Sequence, residues 1–263
     1  MIAANLFHWS IFQFQAFVLI LMRVAPILFM MPVLSGLTIP NLIKVGLAFM
    51  VTLILLPVVP MNPEGFPGEP SGFVLLVIGE LILGFLLSFS VKLIFAGVQL
   101  AGELAAYQMG LAMANIMDPQ SGMDSTLIAE FGYLIGLLIF LVVDGHHWFF
   151  KALVQSFSVI SPGGIHLQTG LLQYFVKISG EMFVIAVKLT APIMAVLVFT
   201  QIALGMIAKT VPQMNILITS FPLTIGLGFF FLGLSFDLFW PYLRNLIAQA
   251  GQGMVYTLLP LMR

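Results

Sequence analysis

The feature that most constrains this chain is a succession of apolar runs with very little charge inside them. They fall at roughly 11–31, 42–60, 73–110, 127–143, 146–160, 171–208 and 214–240. Several approach the roughly 20 residues that a helix needs to cross a bilayer. Only 7% of the residues are charged, nine Lys/Arg and ten Asp/Glu, against 61% hydrophobic. An ordinary soluble domain is charged at about a quarter of its positions, so a soluble fold of this length could not cover its own surface. The expectation is an all-α polytopic membrane protein, one membrane domain over residues 1–263 with no separate soluble part.

Breakers divide the runs. Pro32, Ser35, Gly36 and Pro40 mark the first turn, and 60–70 holds the clearest loop, with Pro60, Pro63, Pro67 and Pro70 among its residues. Asp118-Pro119-Gln120-Ser121-Gly122, Ser161-Pro162-Gly163-Gly164 and Val211-Pro212-Gln213 supply the others. Nothing basic precedes the first apolar stretch and Arg23 lies inside it, so the first helix is expected to be retained rather than cleaved as a signal peptide. The loop at 61–72 is acidic and free of Lys/Arg, a weak vote for its lying outside.

Two segments outrun a simple span. As one straight helix, 176–208 would measure about 50 Å at about 1.5 Å per residue, against a hydrocarbon core of about 30 Å. Pro192 sits within it and is expected to kink it. Glu80, Lys92 and Glu103 punctuate one long segment, and Lys177, Glu181 and Lys188 the other. An ionised side chain facing lipid costs about 2.5–3.5 kcal/mol, so these charges are expected to face protein, in contacts between helices or subunits. Gln201, Gln213 and Asn215 are expected to serve in the same way, because polar side chains in apolar helices hydrogen-bond across to neighbours.

The chemistry of catalysis is sparse. Asp144-Gly145-His146-His147 invites a metal reading, but adjacent side chains on a helix diverge by about 100°, and no His-Glu-x-x-His is present. The favoured role is a polar cap where a span meets the interface, with no metal site. Walker-type phosphate loops and Ser-base pairs are also missing from the sequence. No enzyme and no cofactor are expected, and any energy for transport comes from other components. Zero Cys excludes disulfides and thiolate metal sites, and a net charge of −1 offers no basic surface for nucleic acid. Met109, Met113 and Met117 recur at i, i+4, i+8 and run into the 118–122 loop. Spacing alone makes that stripe ordinary packing. A soft apolar stripe beside a Gly/Pro loop would also suit a closure that seals a pore and moves aside.

Read in order, the motifs resemble those of the FliR family. They are Arg23-Val24 with Pro26, Ile39-Pro40, Lys44-Val45-Gly46-Leu47, Gln108-Met109-Gly110-Leu111, Asp118-Pro119-Gln120-Ser121-Gly122 and Asp144-Gly145-His146-His147. Ser156-Phe157 before a Pro-Gly turn, Ala203-Leu204-Gly205, Val211-Pro212-Gln213-Met214-Asn215 and Phe221-Pro222-Leu223 complete the set. The likeness covers about 15–240; the last twenty residues carry no recognisable signature.

The resemblance implies a subunit of a bacterial type III export gate, flagellar rather than virulence-related, in the inner membrane. Its implied partners are FliP-like and FliQ-like gate subunits, FlhB-like and FlhA-like export components, and unfolded protein substrates, with membrane lipid around the assembly. It also implies long, kinked helices and helical hairpins raised partly above the membrane plane. By motif, a channel plug falls on Ile116, Met117, Asp118, Pro119, Gln120, Ser121 and Gly122, with Met109, Met113 and Met117 as pore lining. The alternative is a stand-alone secondary transporter working through intramembrane Glu and Lys.

Overall fold

The computed structural model describes residues 2–36, 39–60, 69–111, 126–164, 168–211, 213 and 215–262, with side chains from Ile11 onward and excepting those of Thr169, Ile216 and Leu217. The described residues are overwhelmingly helical. In chain order the helices are α1 (Ile2–Met30), α2 (Pro32–Ser35), α3 (Asn41–Leu55), α4 (Pro70–Met109), α5 (Leu127–Val142), α6 (Gly145–Val159), α7 (Thr169–Thr210) and α8 (Ile216–Gly253). A π-helical turn at Met254–Leu258 and the short α9 (Leu259–Leu261) close the series.

Among the described residues, four helices are long and apolar enough to cross a membrane: Ile11–Met30, Pro70–Met109, Gly170–Thr210 and Ile218–Leu261, and Leu127–Val142 with Gly145–Val159, bent by 65°, passes as a pair. Length therefore separates this chain from a simple bundle of spans. The 42 residues of α7 pass through Pro192 without a break, and α8 passes through Pro222 and Pro241. As straight rods of about 1.5 Å per residue, α7 would measure about 63 Å and α4 about 60 Å, twice a hydrocarbon core. Helices of that length must tilt or extend into protein beyond the lipid. The last helix also continues well past the predicted limit at 240, because Pro241 is accommodated inside it.

The chain forms two compact units. The first comprises Met1–Lys92, Asp144–Lys177 and Ile247–Arg263. Here α1 and α3 make a hairpin with Phe17 edge-on to Phe49, their ring centroids 5.1 Å apart. Lys44 turns back to donate to the Gly36 carbonyl at 3.4 Å, which ties the turn between them. Leu19, Ile20, Val24, Ile27 and Leu28 fill the α1 side of the core. Backbone approach is close: a Cβ on Gly84 of α4 would collide with the Arg23 carbonyl of α1. The residues beyond Leu246, which carry no motif, belong to this core. Met254, Val255, Leu258, Leu259 and Met262 are buried, and Gly251 lies against the Trp148 indole.

The second unit comprises Leu93–Val143 and Ile178–Leu246. Ala105, Ala106, Met109, Ile128, Ile193, Leu197 and Leu232 form its central cluster. Small residues again set the spacing, since a Cβ on Gly102 would run into the Ala129 backbone of α5. Phe95 packs edge-on to both Tyr133 and Phe140, at 5.6 Å in each case.

Candidate functional site

Two nodes gather residues from motifs far apart in sequence, one in each unit. The first is ionic. Arg23 is fully buried in the C-terminal third of α1, where an unpaired guanidinium would be prohibitive. Its Nε and Nη2 donate to the two carboxylate oxygens of Glu80 on α4, the second at 3.0 Å. Its Nη1 donates to Ser156 Oγ at 3.2 Å and to the Ile160 carbonyl at 3.1 Å. The Phe157 ring lies 4.2 Å from the guanidinium carbon, adding a cation–π contact. Glu80 is equally committed: its Oε1 also accepts from the Gly163 backbone N–H at 2.8 Å. Gly163 has φ of +83°, so this turn needs glycine, and the Leu76 side chain stands where a Cβ would go.

Four elements of the first unit thus meet on one bidentate pair, the geometry for which arginine rather than lysine is suited. With both charges saturated and shut away from water, the node has no group left over for chemistry; its capacity is to fix α1, α4, α6 and the turn after α6 in register. Sequence reasoning placed Glu80 among helix-to-helix contacts but missed Arg23. The available signal was complementarity: Arg23 is the one basic residue in the first apolar run, and Glu80 the first acidic residue of the 73–110 run.

The second node frames residues 112–125. On the upstream side, α4 ends at Met109, which is buried in the central cluster against Gly228 of α8. Its carbonyl accepts from Thr224 Oγ1 at 3.0 Å. Gly110 follows with φ of +86°, and the Phe221 ring occupies the space its Cβ would need. On the downstream side, the Thr126 N–H donates to Glu103 Oε1 at 2.9 Å. Thr126 in turn caps α5, its hydroxyl accepting from the Ala129 N–H. Both flanks are therefore tied back to the last turns of α4, one through Glu103 and one through α8.

The predicted plug, Ile116 to Gly122, lies outside the described residues, as do Met113 and Met117. Met109 is enclosed by its own unit. Of the predicted polar contacts, Glu80 and Glu103 join elements within the chain. Lys92, Glu181, Lys188, Gln201, Gln213 and Asn215 are exposed on it, Lys188 with its ammonium 5.6 Å from the Tyr242 ring centre. Asp144 stands at the N-cap position of α6, where its side chain makes no capping hydrogen bond to the helix. Its carboxylate instead faces His147 Nδ1 at 3.4 Å.

Four long apolar helices and buried ionic pairing within them define an all-α, multi-pass membrane protein. The family described as bacterial export proteins, family 1, matches residues 14–250, across both units. The chain belongs to that family, among the FliR-type proteins. It is 31% identical over 227 residues to the flagellar biosynthetic protein FliR of Pectobacterium carotovorum, covering 86% of each chain. It is 32% identical to that of Bacillus subtilis over 89% of this chain and 91% of the relative. It is 29% identical to that of Escherichia coli strain K12 over 93% and 89%.

Proposed function

We propose that this protein is a subunit of the flagellar type III export gate in the bacterial inner membrane, and that residues 116–122 close its channel. It works without catalysis, in company with FliP-like and FliQ-like subunits and with FlhB-like and FlhA-like components, passing unfolded proteins. The observation that carries the reading is the frame around 112–125. A closure must move without unravelling the helices that hold it, and Glu103–Thr126 and Thr224–Met109 supply fixed points on its two sides. Exposed apolar residues support a chain completed by other subunits as well as by lipid. On α3 alone, Leu42, Ile43, Val45, Phe49, Met50, Leu53 and Ile54 face outward.

Deleting 116–122 tests the closure directly. The assembled gate carrying the deletion should leak ions or small solutes across the membrane, and leakage equal to that of the intact gate would sink the assignment. Membership of a gate is tested apart from that, by native mass spectrometry of the tagged protein from its own host. A defined heteromer with two other small hydrophobic subunits is expected. A stable monomer or homodimer would point to a self-sufficient transporter instead.

A further inference from the structure

The Asp144-Gly145-His146-His147 motif takes no part in either node, and its geometry departs from what helix spacing alone suggests. Adjacent histidines should splay apart, yet the His146 and His147 rings lie with centroids 4.2 Å apart and planes only 35° from parallel. Asp144 is in the left-handed region with φ of +56°, the one non-glycine residue to be so among the described residues. One ligand atom from each of Asp144, His146 and His147 lies within 4.8 Å of the other two.

We propose that Asp144, His146 and His147 bind a divalent first-row transition metal ion, Zn²⁺ being well matched to one carboxylate and two imidazoles. An ion about 2.1 Å from each of two tetrahedral ligands sets those ligands roughly 3.4 Å apart. The Asp144 Oδ1–His147 Nδ1 separation is 3.4 Å, so one edge of the tetrahedron is already in place. Closing the others takes only a swing of exposed side chains, because those of Asp144 and His147 are each 69% accessible. His146 supplies an independent indication. It is half-buried, and its Nδ1 is shut off from solvent with no hydrogen-bond partner among the described residues. A buried imidazole nitrogen left in that state is a group that ligation, or the tautomer ligation imposes, accounts for. Three protein ligands leave a coordination position for water or for a group from a partner. The site is independent of the export reading.

The test uses the full chain in mild detergent, purified on a tag free of histidine. It is titrated with Co²⁺ while the visible d–d absorption is followed, then displaced with Zn²⁺, and bound metal is counted after gel filtration. Saturable binding of one ion per chain is expected. Asp144→Asn removes the charged ligand while retaining a residue that tolerates the left-handed backbone. His147→Ala removes an exposed imidazole. Both should elute and give circular dichroism as the parent does, and both should bind at least tenfold more weakly. No saturable binding by the parent chain, or a loss smaller than tenfold in either variant, overturns the proposal.

Discussion

Removing either charge of the Arg23–Glu80 pair strands the other where water cannot reach it. Arg23→Met or Glu80→Leu alone should therefore cost about 3–5 kcal/mol, read as a lower melting temperature in detergent or lower steady-state abundance. The double variant should recover a good part of that loss, since two apolar groups leave no orphan charge. Arg23→Lys should behave nearly as badly as Arg23→Met. A single ammonium cannot serve both Glu80 oxygens, Ser156 and the Ile160 carbonyl at once. The second node is less costly. Thr224→Val removes the hydroxyl that the Met109 carbonyl accepts from, worth about 1 kcal/mol. Global stability should fall little, while leakage through the assembled gate rises if the frame holds the closure shut.

For the helices, glycine separates faces already occupied within the chain from those left open. A Cβ on Gly102 would meet α5 backbone, which cannot rotate aside, so Gly102→Ala should destabilise by about 1–3 kcal/mol through overpacking. Gly205 has nothing within 4 Å of its Cβ position. There the same change should leave the isolated chain as stable, or raise its stability by up to about 1 kcal/mol through helix propensity. If co-purification with partner subunits drops nonetheless, the Gly205 face is where one of them packs. Such distinctions mark the limit of what the sequence discloses. Apolar runs place the long helices, and Pro162-Gly163 places a turn after one of them, because hydropathy and backbone geometry are local properties. The helix end at Gly110 is not read from the sequence. Pairing is not local. Arg23 and Glu80 stand 57 residues apart, and no spacing rule joins them. Pro192, where a kink is expected, and Pro241, just past the last apolar run, both sit inside continuous helices, which the loss of one backbone bond at each does not end. Lys92 and Lys188 were expected against protein, and whether another subunit covers them is a property of the assembly.

At the scale of the molecule, the segment after Leu246 carries no motif and yet completes the first unit. Ending the chain at Leu246 would uncover Trp148 and strip away buried Met254, Leu258 and Met262. Limited proteolysis of that truncated protein should cut within α6, at sites protected in the full chain. Uniform resistance would show the tail to be dispensable. The Arg23–Glu80 pair also carries a consequence for how the protein is made. A ribosome adding about 5–20 residues per second delivers Glu80 roughly 3–11 s after Arg23, and Ser156 later still. Over that interval the first span holds an uncompensated cation that lipid resists by about 2.5–3.5 kcal/mol. A nascent first helix that waits in a polar setting, at the insertion machinery or at the headgroups, until α4 arrives would avoid that cost. On that route the first and fourth helices would integrate together, joined by the Arg23–Glu80 pair, rather than as independent insertions.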